Sequence, residues 1–479
     1  MNGNSSTRKL MDFIQAKRAL VFASFMMCAF AVVILKDNPF PKVLLLAGAM
    51  VGGAIFLLSG FFRLDVLIYL FVTYLPFSHQ VPIDFKGIPG LNGTNLFIAF
   101  ITFFWFTKRD KSEPLFAKTP LNVPIYLFAA FGLFSIFRSL GYGPGFITEA
   151  GLEYYRLWVV PLFLYFLIYN AVRDRETVEN VAIMMMLVIA MTALMAVYDY
   201  LSEDDRVGGV FDQPNVLAFF FSYGMFFFLA FFLLNSRKRP MTWGFLLPFL
   251  ICFRGIMVTF SRAGYLTFAV GVYAITYFRS KFLIVLLILG TLFLFRNPVF
   301  LPEGVRYRLA QTIERKSIGA NEGALTTETL DKSTSDRIKL WKASKAMIKD
   351  HPVLGVGFHQ FEAKVLHYWT GTEQFDPHNS YLLIAAEMGI PALLVLLWIF
   401  WRIFWSARAV YRKTQDRFVK ALALGFLGGF FAFLVSNLYG SRIYYPDAMS
   451  YFWIFAALLM RLRAIEDGKK KVEDGPAVA

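Results

Sequence analysis

The segment Asp376-Pro377-His378-Asn379-Ser380 sets a carboxylate and a histidine one residue apart, directly before an apolar run. A helix starting there would present its positive end to His378, which disfavours imidazolium. A neutral imidazole could act as a general base, with Asp376 orienting it. The same residues also fit a plainer account. In it Asp376, Asn379 and Ser380 are capping residues and His378 is a surface residue.

Five arginines form the second set. Arg156 follows Glu153-Tyr154-Tyr155, and Arg206 precedes Gly208-Gly209-Val210-Phe211-Asp212-Gln213-Pro214-Asn215. Arg254 lies within an apolar run, Arg262 within Thr259-Phe260-Ser261-Arg262-Ala263-Gly264, and Arg442 just beyond another run. A charge beside lipid is costly and needs a reason. Any one of them could be an interfacial anchor or an ion-pair partner. Several on one face of a helix bundle would instead make a phosphate pocket, because guanidinium binds phosphate bidentately.

Other polar residues carry less. His351, His359 and His367 recur every eight residues, which is not a tight helical metal motif, and no metal or cofactor is assigned. His359 follows the Gly355-Val356-Gly357 turn and is a candidate substrate contact. That turn is too short to argue for a nucleotide loop. Glu387 reads as a buried, protonated or paired carboxyl rather than a catalytic group. Cys28 and Cys252 both lie in apolar runs and read as small hydrophobes.

The elements that must position these residues are transmembrane helices. The chain is 57% hydrophobic and only 17% charged, with a mean hydropathy of +0.54. Many continuous apolar runs reach the roughly 20 residues a spanning helix needs. Continuous runs exclude a β-barrel, whose strands alternate. The expected fold is an all-α polytopic membrane protein of about 12–14 transmembrane helices. The expected layout has a cytoplasmic tail over 1–18 and a first bundle of about eleven helices over 19–296. A long loop with two amphipathic helices covers 297–380, further transmembrane helices cover 381–463, and a cytoplasmic tail covers 464–479. The first run, 19–35, reads as an uncleaved span.

The net charge of +15 reflects Lys and Arg clustered in alternate short loops, a positive-inside pattern with both termini cytoplasmic. Long loops are exempt from that rule, so the basic 297–380 loop is expected outside, with all five arginines on the same side. Basic residues scattered among spans argue against nucleic acid as a partner. Within the loop, Ser335 and Asp336 are expected to start a helix carrying Ile338, Trp341, Lys345 and Ile348. Phe358, Phe361, Val365 and Trp369 suggest a second, lying on the membrane surface.

These residues resemble those of the O-antigen ligase and polymerase family. The resemblance rests on Ser335-Asp336-Arg337, Trp341, His351-Pro352, Gly355-Val356-Gly357-Phe358, Pro377-His378-Asn379-Ser380-Tyr381-Leu382 and Glu387-Met388-Gly389. Arg206 ahead of Gln213-Pro214-Asn215, and Thr259-Phe260-Ser261-Arg262-Ala263, fit as well. It implies a GT-C-like glycosyltransferase of the bacterial cytoplasmic (inner) membrane, active on the periplasmic face in lipopolysaccharide biosynthesis. The donor would be an undecaprenyl-diphosphate-linked glycan and the acceptor a sugar hydroxyl. That hydroxyl belongs to the lipid A core for a ligase and to a carrier-linked repeat for a polysaccharide polymerase. The reaction would invert the anomeric centre without metal or nucleotide sugar. By resemblance His378 is the candidate base, and Arg206 and Arg262 bind the carrier diphosphate. Arg337 matches a loop arginine of less settled role. Arg156, Arg254 and Arg442, with His359 and Asn379, are possible substrate contacts on topology and position alone.

A lipid-linked sugar flippase would share the span count and an arginine-lined cavity. Transporters usually show repeated halves with broken mid-membrane helices, and no repeat is evident here. A scaffold protein would leave the outer arginines unexplained.

Overall fold

In the computed structural model the described residues are 63–80, 92–112, 114–139, 144–203, 206–236, 238, 240–301, 306, 332–369 and 375–473. Every regular element among them is helical. The expected spans 19–35 and 43–62, and most of the loop between 302 and 331, lie outside the described residues.

The chain divides into two compact units, residues 1–113 with 176–188, and residues 114–175 with 189–479. In the first unit, α1 (Leu64–Tyr74) runs into a single 3-10 turn at Pro76, and α2 (Gly93–Lys108) is capped by the Asn92 side chain. Phe97 of α2 stacks on Tyr74 with ring centroids 5.0 Å apart. Asn180 donates to the Tyr69 hydroxyl at 3.1 Å.

In the second unit, α3 (Asn122–Arg138) and α4 (Pro144–Tyr154) lead through a π turn at Tyr155–Val159 into α5 (Val160–Ala171). The π turn falls where Pro161 has no N–H to give the preceding turn, so the ladder re-registers there. Helix α6 (Arg175–Glu203) begins at the boundary between the units and contributes its second half to this one. Then come α7 (Pro214–Leu234), the short α8 (Pro240–Trp243), α9 (Leu246–Val258), α10 (Arg262–Arg279) and α11 (Lys281–Arg296). Next come α12 (Lys332–Asp350), α13 (Phe361–Tyr368) and α14 (Ser380–Met388). Helices α15 (Ile390–Lys413), α16 (Arg417–Ser436) and α17 (Pro446–Glu473) close the chain.

The bundle is packed with aromatic rings. Phe452 stacks on Phe433 with centroids 4.1 Å apart, and Phe455 on Phe227 at 4.2 Å, tying α17 to α16 and α7. Between lipid-bathed helices, such close van der Waals packing supplies the association that burial from water cannot. The outer surface of α11, with Phe282, Leu289, Leu292 and Phe293 exposed, suits hydrocarbon.

Among the described residues six helices are long and apolar enough to cross a membrane: Thr148–Ala171, Arg175–Ser202, Pro214–Leu234, Ile390–Lys413, Arg417–Ser436 and Pro446–Gly468. Four shorter apolar helices join them: Leu64–Phe77, Asn122–Arg138, Leu246–Val258 and Lys281–Leu294. The protein is an all-α, multi-pass membrane protein.

Three local expectations change. The apolar run 381–405 is not one helix, because Gly389 breaks it with a φ of +89°. A Cβ there would lie 2.0 Å from the Val353 carbonyl oxygen. Helix α12 begins at Lys332, ahead of Ser335, and buries Leu340, Ala343 and Met347 rather than the Ile338–Trp341–Lys345 face. The segment after 463 stays helical to Glu473, where Asp467 sits 3.6 Å from Arg463 and 3.8 Å from Lys413.

Helices α12 and α13 turn much of their apolar faces inward. Leu340, Ala343 and Met347 pack with Val356, Phe361, Val365, Leu383 and Ala386 into one buried cluster on α14. Each large side chain buried this way stabilises the docking by about 1.5–3 kcal/mol. The Gly355-Val356-Gly357 turn then caps α14. Val356 N–H donates to Ala386 O at 2.8 Å and Gly357 N–H to Glu387 O at 3.1 Å, satisfying carbonyls that the helix end leaves free.

Candidate functional site

His378 lies just before α14, with a φ of +47°. Its ring Nδ1 is 3.0 Å from Asp376 Oδ1. The same carboxylate oxygen accepts from the His378 backbone N–H at 2.6 Å and from Ser441 Oγ at 3.0 Å. Burial pushes the Asp376 carboxyl up, but these His378 and Ser441 contacts outweigh it and hold it below the usual carboxylate range. Asp376 therefore stays ionised and fixes the Nδ1 side of the imidazole, which leaves Nε2 for another partner. The Asp376–His378 contact is built into the loop, and capping falls to Asn379. Its Oδ1 accepts from Tyr381 N–H at 3.0 Å and from Leu382 N–H at 3.1 Å.

The histidine segment is stitched down on three sides. Trp341 Nε1 of α12 donates to Pro377 O at 2.8 Å. Ser380 N–H donates to Asn437 O at 2.9 Å, and Ser380 Oγ pairs with Asn437 Oδ1 at 2.6 Å. Beneath α14, Glu387 Oε1 accepts from Phe361 N–H and Oε2 from the Tyr444 hydroxyl, each at 3.1 Å. Ser135 of α3 donates to Glu387 O at 2.7 Å, and Arg138 donates to His351 Nδ1 at 3.0 Å. Glu387 is thus a buried structural latch; it lies in α14, outside the span that starts at Ile390. Burial raises its carboxyl to about 7, against the opposing Phe361 and Tyr444 hydrogen bonds.

The arginines sort into groups. Arg206 Nε donates to Thr259 O at 2.8 Å and its Nη2 to Asn215 Oδ1 at 3.1 Å. Ser261 Oγ donates to the same Asn215 oxygen at 2.9 Å and caps α10, whose first residue is Arg262. Arg206 and Arg262 therefore flank one turn, Thr259-Phe260-Ser261, although 56 positions separate them in the sequence. Arg442 is only 6% exposed, in the turn between α16 and α17. Burial lowers its guanidinium to about 10, with Tyr445 and Asp376 opposing that change and the like charges of Arg337 and Arg206 adding to it. It remains a cation at neutral pH. Arg442, Arg337 and Arg206 thus share one electrostatic neighbourhood with Asp376.

Two candidates fall elsewhere. Arg254 on α9 lies over the Tyr200 ring, 5.2 Å from its centroid. Arg156, on the π turn, pairs with Glu153 at 2.7 Å. Arg156 and Glu153 line a cavity of about 320 Å³ together with Glu149, His359, Glu362 and Asp376. His359 Nε2 is 3.5 Å from Glu149 there. Carboxylates outnumber cations among its charged lining residues, and Asp376 joins it to the histidine segment.

Ser441, Gly440, Asn437 and Tyr444 were not singled out in the sequence. Their signal is the polar cluster Asn437 to Tyr445, lodged between two long apolar runs where lipid would exclude such residues. Residues 247–397 match the family model described as O-Antigen ligase. That stretch runs from α9 into α15 and takes in Arg254, Arg262, Arg337, His359, Asp376, His378 and Glu387. A search of curated proteins gives no match to this chain.

Proposed function

We propose that the protein, whose residues 247–397 match the family model described as O-Antigen ligase, is a lipid-carrier-dependent glycan ligase. It moves a glycan from undecaprenyl diphosphate to a sugar hydroxyl of the lipid A core, on the periplasmic face of the bacterial inner membrane. The family match supports a membrane glycosyltransferase of the ligase or polymerase kind. A polymerase would differ in taking a carrier-linked repeat as acceptor.

One observation carries the proposal: Asp376 holds His378 Nδ1 at 3.0 Å in the electrostatic neighbourhood of the buried Arg442 and of Arg337. The imidazole Nε2 accepts the proton of the acceptor hydroxyl as its oxygen attacks the anomeric carbon. The bond from that carbon to the diphosphate oxygen breaks on the opposite face, which inverts the centre. The carrier diphosphate leaves with the electron pair. Arg206 and Arg262 neutralise the charge that develops on it, a role fixed cations fill without reorganising. Ionised Asp376 stabilises the imidazolium formed, as the carboxylate of a catalytic triad does. The carboxylate-lined cavity next to Asp376 suits a hydroxyl-rich acceptor, whose donors its oxygens can accept.

The test is genetic and biochemical. A deletion strain should accumulate long carrier-linked chains and bear a bare lipid A core. Single repeat units on the core would instead mark a missing polymerase. Complementation with His378→Ala or Arg262→Ala protein, normally inserted, should fail. Wild-type transfer by either variant would sink the proposal.

A further inference from the structure

Arg442 is a buried cation in need of an acceptor. Its residue is 6% exposed, and among the described residues its guanidinium makes no hydrogen bond or ion pair. Its one aromatic neighbour, Tyr445, has a ring centroid 6.0 Å away. A guanidinium carries five N–H donors, and leaving a largely buried one without acceptors is costly. Its surroundings raise that cost, because Arg337 and Arg206 act on it as like charges. The nearby counter-charge, Asp376, is already committed to His378 and Ser441. A multivalent anion with several acceptor oxygens would meet these donors and offset the like charges.

The seat of the guanidinium is specific. A Cβ on Gly440 would lie 2.5 Å from Arg442 Cζ and Nη2 and 2.6 Å from Nε. Only glycine leaves the space in which the planar group lies. The adjacent Ser441 holds Asp376, so the chain links Arg442 to the Asp376–His378 pair within two side chains.

We infer that Arg442, seated on Gly440, is a further ligand for a diphosphate, binding it on the side of the His378–Asp376 pair. The diphosphate's identity as that of the glycan carrier rests on the function proposed above; the anion site itself does not.

The experiment measures binding of inorganic pyrophosphate to the full-length protein in nanodiscs by isothermal titration calorimetry. Wild type should bind it, and Arg442→Gln should weaken binding by about tenfold or more, with Arg442→Lys retaining part of the affinity. Gly440→Ala should fold normally, since the clash falls on the mobile end of a side chain, yet weaken binding severalfold by displacing the guanidinium. The double variant should be no weaker than Arg442→Gln alone, the signature of one shared contact. The inference is overturned if folded Arg442→Gln binds like wild type, if the two substitutions add, or if wild type does not bind. Should Arg442→Gln fail to fold, unchanged affinity in folded Gly440→Ala overturns it equally. Arg442-dependent binding without any glycan transfer by wild type would leave this inference standing and remove the proposed function. Transfer with Arg442-independent binding would do the reverse.

Discussion

At the scale of single residues, the site contrasts a carboxylate held ionised with one that keeps its proton to higher pH. Asp376 is kept charged by His378 and Ser441, so its task is to fix an imidazole tautomer. Asp376→Asn should leave the loop folded but lower kcat by about a hundredfold or more, as in other carboxylate–histidine pairs, with little change in KM for the lipid-linked donor. A steady-state assay separates the two constants, and an unchanged kcat would remove Asp376 from the mechanism. Glu387 is pushed the other way, to about 7 by burial. The folded protein keeps a proton that the unfolded chain releases above about pH 4.5, so stability falls as pH rises from there through about 7. The whole effect is about 3 kcal/mol at most. Melting temperatures at pH 5 and pH 8 should differ less in Glu387→Gln than in wild type. The Asp376–His378 contact was legible in the sequence because it spans two residues. Its third member, Ser441, was not, because a turn 65 positions away delivers it.

At the scale of elements, a broken helix presents the site. The apolar run from 381 to 405 has the composition of one span, and periodicity carries no mark of the break inside it. What decides the break is Gly389, whose φ of +89° and contact with Val353 no other residue could adopt without strain. Gly389→Ala should destabilise the protein by at least about 2 kcal/mol, read as a fall in melting temperature, and should lower activity with it. Trp341 tests a gentler coupling. Trp341→Phe removes the 2.8 Å bond to Pro377 O while keeping an aromatic ring. Transfer should fall by about tenfold with a melting temperature close to wild type, since a slight misplacement of the base is enough. An unaffected rate would show that α12 does not position His378. The amphipathic pattern of α12 and α13 was legible, but their burial partner was not. An apolar stripe faces whatever is apolar, and here much of it faces α14.

At the scale of the whole molecule, the charge pattern makes a checkable statement about sidedness. Helix α15 joins α14 to a basic end at Arg412 and Lys413. A cysteine replacing Glu362 on α13 should react with a membrane-impermeant maleimide in intact spheroplasts. One replacing Arg412 should react only after permeabilisation. Both native cysteines, Cys28 and Cys252, are replaced by serine in these variants to remove background labelling. The opposite pattern would invert the layout and place His378 in the cytoplasm.

Hydropathy by itself determined that this chain is a helical, multi-pass membrane protein, because lipid leaves the backbone no other way to satisfy its polar groups. The order of short motifs by itself pointed to the family, and to His378, Arg206 and Arg262. Those signals are local in sequence or fixed by solvent, so no fold is needed to read them. Only the tertiary structure decided which arginines share a neighbourhood. It tied Arg206 through Asn215 to Ser261, the residue before Arg262, left Arg254 on Tyr200 and Arg156 on Glu153, and buried Arg442 in the turn ahead of α17. The reason is electrostatic. A charge's role depends on which charges and dipoles lie within a few ångströms, and in a helical bundle those come from segments hundreds of residues apart.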